Sequence, residues 1–272
     1  MNIDIKHLQA CELIIAEEIK RICEKHSIKY FLLAGSMLGA IRHKGFIPWD
    51  DDMDFGMLRS DYEQFCEVCQ DDLNPQFELV NWNTDANYPF SYGKIVLKKT
   101  HIKERFAPEM KRNDGIFVDI FPFDRVPMHD IEQERQKRKL YLYRRILWVK
   151  KGYGRCIVKQ GLKQRIKYDG SRIVFSILPY KSIKRKLFET QTRYNGDESD
   201  FVVMDSPYSY QKSMMRKEWL NHICYYDFDG HKFPGICDYD AYLKNIYGDY
   251  MKLPPEDKRC GHEITEVEFN NY

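Results

Sequence analysis

Four aspartates crowd into five positions of this chain: Asp50, Asp51, Asp52 and Asp54, with Met53 among them. A strand sends successive side chains to opposite faces, so Asp52 and Asp54 are expected on one side and Met53 and Phe55 on the other. Carboxylates this close repel one another, and a segment flanked by Trp49, Met53 and Phe55 tolerates them only if something cationic neutralises them. Hard oxygen ligands point to magnesium (Mg2+), with manganese (Mn2+) as the other choice. Asp50 and Asp51 have a second reading as a solvated loop behind Pro48, because Asp-rich turns are common. Asp50 shares the face of Asp52 and Asp54 if the strand begins that early, either as a ligand or as a base just outside the ligand set.

Upstream, Tyr30 to Leu33 read as a strand, Gly35 as a tight turn, and Ser36 as the N-cap of a helix running to about Arg42. Backbone N–H groups and the dipole at such a start favour a phosphate. A phosphate cradle followed by metal-binding carboxylates suits transfer of a phosphoryl or nucleotidyl group. Asp119 adds a carboxylate within Ile116 to Phe121, a run patterned as a strand buried on both faces, where an unpaired charge is costly. Its partner is either the metal or a buried Arg or Lys. Asp124, after Pro122, is expected to turn the chain. Arg42, His43 and Lys44 could hold a diphosphate or simply serve as cations at a helix C-terminus. Lys94, within the strand pattern 91–99, could reach inward to a phosphate or face solvent. Trp49 could stack on a base or a choline-like cation, or pack in the core.

The run from Gly35 to Asp54, GSMLGAIRHKGFIPWDDDMD, resembles the signature of the LicD family, relatives of the fukutin-related proteins. Asp114 to Pro122 (DGIFVDIFP) resembles that family's second block, and Tyr247 to Pro255 (YGDYMKLPP) its C-terminal one. The resemblance spans nearly the whole chain, although 130–200 carries no motif that can be placed. It implies a nucleotidyltransferase fold of the DNA polymerase beta type. It also implies an enzyme that moves a phospho-alcohol, often phosphocholine, from a cytidine diphosphate (CDP) carrier to a surface glycan or glycolipid such as a lipopolysaccharide or teichoic acid. In that fold a Gly-Ser turn, here Gly35-Ser36, precedes an Asp-x-Asp pair, here Asp52 and Asp54. A third carboxylate comes from a later strand, here Asp119. A lysine recurs in the family at the position of Lys94. The implied reaction is attack of an acceptor hydroxyl on the substituted phosphorus, with Asp119 or Asp50 taking the proton and cytidine monophosphate leaving. A nucleotidyltransferase acting on a small molecule would use the same residues.

Composition is compatible with an enzyme. With 272 residues and 43% hydrophobic content the chain can bury a large core. A net charge of only +2 provides no global field to select nucleic acid. Of the cysteines, only Cys66-x-x-Cys69 has metal-ligand spacing, and a lone pair cannot complete a zinc site. Without a signal peptide the chain reads as cytoplasmic, with its thiols mostly reduced. It has no apolar stretch long enough to span a bilayer.

These residues need elements to position them. Helices are expected from Asp4 to Lys25, with Leu8, Leu13, Ile14 and Ile19 on the core face, and at 60–72, 129–150, 156–167, 180–194 and 238–247. Strands are expected at 77–82, 91–99, 115–121, 201–204, 213–215 and 224–233. Without regular alternation this is an α+β arrangement with a mixed sheet. The expected division is a catalytic core at 1–128, a basic helical insertion at 129–200, and a segment at 201–272 that packs back on the core. Between 135 and 167, lysines and arginines interleave with Tyr141, Tyr143, Trp148 and Tyr153. Such a stretch can dock peripherally on an anionic membrane or stand as a solvated face, and a non-catalytic docking protein would use it in the same way. His262, in a Cys260-Gly261-His262-Glu263 segment, could fold back over the site.

Overall fold

The computed structural model describes residues 4–105, 114–153, 161–261, 264–270 and 272. His262, Glu263, Arg155, Cys156 and Lys159, together with the start of the helix expected from 156, lie outside the described residues.

The chain opens with helix α1 (Ile5–Lys25), capped by Asp4, whose carboxylate accepts from the His7 N–H. A short strand β1 (Phe31–Leu32) leads into α2 (Ala34–His43), β2 (Asp54–Leu58) and α3 (Arg59–Asp72). Then come strands β3 (Phe77–Val80), β4 (Gly93–Leu97), β5 (His101–Glu104) and β6 (Phe117–Arg125). Three helices follow, α4 (Asp130–Lys151), α5 (Leu162–Ser176) and α6 (Tyr180–Thr192). Helix α4 carries Asp130 and Glu132 in its first turn and Lys150 and Lys151 in its last, matching the helix dipole. The chain then passes through β7 (Phe201–Met204), the single turn α7 (Tyr210–Ser213), β8 (Met214–Arg216), β9 (Ile223–Phe228), β10 (His231–Ile236), α8 (Tyr239–Tyr247) and β11 (Ile264–Glu268).

The main sheet runs β1-β2-β6-β4-β3, with β7 on β6 and β8 on β7. Among the described residues only β2 and β6 pair in parallel, so the sheet is mixed and the architecture is α+β. Strand β6 is its axis. One edge pairs with β2; the other pairs with β4 from Phe117 to Ile120 and with β7 from Phe123 to Arg125. The main core gathers apolar residues from α1, both ends of the β1–α2–β2 unit, β6, the β9–β10 hairpin and α8.

Several local expectations shift. The core face of α1 is Leu8, Cys11, Ile15, Ala16, Ile19, Ile22 and Cys23, whereas Leu13 is only half-buried and Ile14 is exposed. The strand carrying the aspartates starts at Asp54, so Asp50 to Asp52 belong to the loop before it and do not alternate along a strand. Strand β6 continues through Pro122, whose ring is tolerated beside Met57 in the parallel pair. Asp124 is therefore a buried strand residue instead of a turn. The strand expected at 224–233 is a hairpin broken at Asp229-Gly230, both with positive φ. Cys224 and Cys237, with Cα atoms 5.1 Å apart, are joined there in a disulfide, which departs from the expectation of reduced thiols. Strands β5 and β11 pair with each other; both are rich in charge, and the sequence pattern hid them.

Candidate active site

The first turn of α2 and the start of β2 are locked together. Ser36 is not the cap; Leu33 is, with no side-chain capping bond. Instead the Ser36 N–H donates to the Leu33 carbonyl, and the Ser36 hydroxyl accepts from the Asp54 N–H at 2.8 Å. The Ala34 N–H donates to the Tyr242 hydroxyl on α8. A side chain at Gly35 would come within 3.0 Å of Asp50 Oδ2, so this turn lies directly against the acidic loop.

Asp50, Asp51 and Asp52 each offer a carboxylate oxygen within 4.8 Å of the others. Gln9 on α1 holds the loop by donating to the Asp50 carbonyl at 2.9 Å. Beside the loop, strand register lines up three further groups: Asp54 stands opposite Asp119 in the parallel pair, and Asp119 opposite Lys94 in the antiparallel one. Cross-strand partners project to the same face, so one row across β2, β6 and β4 reads carboxylate, carboxylate, ammonium. Lys94 Nζ lies 3.3 Å from Asp119 Oδ1 and 3.1 Å from the centre of the Phe117 ring. Lys94 therefore points inward, and Asp119 has the buried cation that was one of its two expected partners. Burial pushes the Asp119 carboxyl up to about 7, against the lowering pull of Lys94.

Glu12, absent from the sequence-based candidates, belongs to this group. It lies on the buried face of α1, 1% exposed, and its Oε2 has no hydrogen-bond partner among the described residues. Burial first, then the charges of Asp52, Asp51, Asp50 and Asp54, hold its carboxyl well above the usual range. The signal was a glutamate at the i+4 position from Leu8 within an otherwise apolar stripe. Tyr208 and Tyr247 were also missed. Partial burial and the nearby Asp54, Asp52 and Asp50 push the Tyr208 phenol up to about 12. Desolvation of the ring chiefly, with Asp50 and Asp54 among the lesser causes, raises that of Tyr247, although over a third of that residue's surface stays exposed.

The remaining candidates form the rim. Arg42 donates to the Tyr250 carbonyl at 2.7 Å and to His43 Nε2 at 2.9 Å, and burial lowers the pKa of both side chains. Trp49 packs on the main core and meets His43 edge-on, while the Arg259 guanidinium sits 5.3 Å over its ring. Lys44 ends α2 in a left-handed conformation, exposed, with its carbonyl accepting from the Asp229 N–H, as a helix-end residue would. The C-terminal segment closes over the loop: a Cβ at Gly261 would fall 2.3 Å from the Asp51 carboxyl carbon, so a larger residue there would push that carboxylate aside.

The donor set fits a hard divalent cation. Every side chain in the cluster offers oxygen, and a glutamate buried beside four aspartates lacks any hydrogen-bond donor for one oxygen among the described residues.

A family model described as the LicD/FKTN/FKRP nucleotidyltransferase domain matches residues 27–148, which carry Gly35-Ser36, the aspartate loop, Lys94 and Asp119. The lipopolysaccharide cholinephosphotransferase LicD of Haemophilus influenzae is 31% identical over 273 residues, covering 98% of each chain. This chain belongs to the LicD family. The ribitol 5-phosphate transferase FKRP of Homo sapiens is 41% identical over 108 residues, 40% of this chain and 19% of that protein, and its Mus musculus counterpart is 28% identical over the same share.

Proposed function

We propose that this LicD-family chain transfers a phospho-alcohol group, phosphocholine foremost, from a CDP-linked donor to a hydroxyl of a cell-surface glycan or glycolipid. The observation that carries this reading is the row Asp54–Asp119–Lys94 set beside Asp50, Asp51, Asp52 and the buried Glu12. Support comes from the relative that aligns end to end, named for cholinephosphate transfer to lipopolysaccharide, and from relatives named for ribitol 5-phosphate transfer. In this reading β1, α2, β2 and β6 form the heart of a nucleotidyltransferase fold.

Asp52, Asp54 and Asp119 would hold magnesium, or manganese in its place, with Asp50 beside them. Bound there, the ion would neutralise the donor's diphosphate and make its phosphorus more electrophilic. The first turn of α2 at Gly35 and Ser36 brings the positive end of a helix to the same place. Lys94 offers a fixed ammonium to a phosphate oxygen, and Arg42 and His43 add cationic and donor groups at the rim, with Lys44 further out. Trp49 could stack its indole on the base or take the choline end against its ring face, where the Arg259 guanidinium now lies. The acceptor hydroxyl oxygen forms the new bond to phosphorus, and the bond from phosphorus to the cytidine monophosphate oxygen breaks. The proton passes to a carboxylate of the cluster, Asp119 or Asp50.

The test is to incubate purified protein and magnesium with CDP-choline, CDP-ethanolamine and CDP-ribitol, with and without surface-glycan extract, and to measure cytidine monophosphate. Acceptor-dependent release from one donor is expected. Consumption of cytidine or adenosine triphosphate instead, with a nucleotide appearing on the acceptor, would overturn the reading in favour of nucleotidyl transfer.

A further inference from the structure

The basic, aromatic stretch from 135 to 167 does not behave as one surface. In α4 two of the three aromatics turn inward, Trp148 beneath Phe90 and Tyr153, and Tyr143 on the Leu140–Leu147–Ile183 cluster, while Tyr141 stays exposed. Many of its cations are engaged as well. Arg144 pairs with Asp205, Lys137 and Arg138 with Glu134, and Lys150 caps the carbonyls of Phe175 and Ser176.

Helix α5 is different. A surface helix normally turns its apolar stripe to the core and its charges to water. Here Phe175 packs inward on the Leu147–Leu187 cluster and Tyr168 donates to the Tyr153 carbonyl, so the inner face is already used. The outer face carries a second apolar stripe at helical spacing. Ile166, Ile173, Val174 and Ile177 are 62%, 72%, 61% and 80% exposed, with Gly170 between them on the same side. By helical spacing, exposed Lys167 borders this stripe on one side and exposed Lys163 stands at its N-terminal end, while on the other side half-buried Asp169 lies next to the stripe with exposed Arg165 and Arg172 beyond it. The stripe from Ile166 to Ile177 is about 16 Å long at the rise of an α-helix.

We infer that α5 is an in-plane anchor that docks the protein on an anionic lipid bilayer, with Ile166, Ile173, Val174 and Ile177 entering the acyl boundary and Lys163, Arg165, Lys167 and Arg172 among the headgroups. A branched apolar strip on a helix whose exposed charges are four cations matches the two layers of a membrane interface, hydrocarbon below anionic phosphate. A second copy of the chain is a poorer occupant, because a two-fold contact through this face would set the same four cations against themselves. No helix among the described residues is long and apolar enough to cross a membrane, so α5 would lie on the surface. The inference stands independently of the chemistry at the aspartates, since its readout is lipid binding.

The experiment is co-sedimentation of the full chain with vesicles of phosphatidylcholine alone and of phosphatidylcholine mixed with phosphatidylglycerol, at low and high salt. Binding to the anionic vesicles that weakens with salt is expected. Ile173→Asp with Ile177→Asp should reduce it at least about tenfold. Removing Lys163, Lys167 and Arg172 together, each replaced by Gln, should weaken it by about fivefold per charge. All five positions are exposed, so circular dichroism and thermal midpoint should stay at the wild-type values. The inference is overturned if the wild-type chain stays in the supernatant, if the isoleucine pair binds as the wild type does, or if that pair converts a lipid-free dimer to a monomer, which would make this face a self-contact.

Discussion

Strand β6 holds two buried carboxylates five residues apart, Asp119 and Asp124, and the chain treats them in opposite ways. Asp124 receives a bidentate grip from Arg59, Nε at 2.9 Å and Nη2 at 2.6 Å, and a third bond from Asn195 at 2.7 Å. Asp205 on the neighbouring segment is held similarly by Arg144 and by Ser91 at 2.9 Å. Asp119, on the other face of β6, meets one ammonium and a crowd of like charges, and Glu12 meets the crowd with one oxygen that has no hydrogen-bond partner among the described residues. Burial of a carboxylate therefore does not mark a site by itself. The kind of neighbour does: a guanidinium makes the charge part of the scaffold, whereas a carboxylate crowded by other carboxylates has its pKa raised and suits a place that a bound cation can complete.

The comparison breaks most visibly in turnover. Asp54→Asn should lower cytidine monophosphate release at least about a thousandfold while the urea midpoint stays at or above wild type. Near-normal rates would remove Asp54 from the site. On the scaffold side, Arg59→Met strands Asp124 and should cost about 3–5 kcal/mol of stability in urea titration, and Arg59→Met with Asp124→Leu should recover most of it. Failure of the pair to recover would mean that Arg59 acts through something besides Asp124. Magnesium should raise the thermal midpoint, equivalent to about 2.7 kcal/mol at a hundredfold excess over its Kd. That shift should vanish in Asp52→Asn/Asp54→Asn and persist in Arg59→Met; its survival in the aspartate pair would put the ion elsewhere.

The smallest effect carries the opposite sign. Metal-free Glu12→Gln should be more stable than wild type at neutral pH by on the order of 1 kcal/mol. The folded Glu12 carboxyl protonates well above the usual value of about 4.5, so between those points the folded state binds more protons than the unfolded one. Stability without metal should then fall as pH rises above the usual glutamate range, and Glu12→Gln should flatten that fall. A slope unchanged by the substitution would show that Glu12 is not under the strain inferred for it.

Much of this was legible in the residues. The cap at Asp4, the helices near 60–72, 129–150 and 180–194, and the short strands at 77 and 201 follow from local patterns of period and capping that no distant contact overrides. Ser36 was misread because a serine ahead of an apolar run is an ordinary cap. Its bond to the Asp54 N–H, eighteen residues on, has no local signature. Asp124 was misread as a turn because Pro122 suggests a break, and nothing nearby announces Arg59, which arrives from α3. The hairpin at 223–236 was read as one strand because Asp229-Gly230 was passed over as the turn it is.

The sequence by itself determined which groups are present and their chemistry: an aspartate run too dense to be neutral, an aspartate and a lysine on apolar strands, and a family signature that spans the chain. Local composition and spacing record those facts directly. Only the tertiary structure decided that Asp54, Asp119 and Lys94 fall in one row, that Glu12 joins them from α1, and that Gly261 closes over Asp51. Register between strands and the approach of segments hundreds of residues apart depend on how the whole core packs, and a charge's meaning depends on what that packing places beside it.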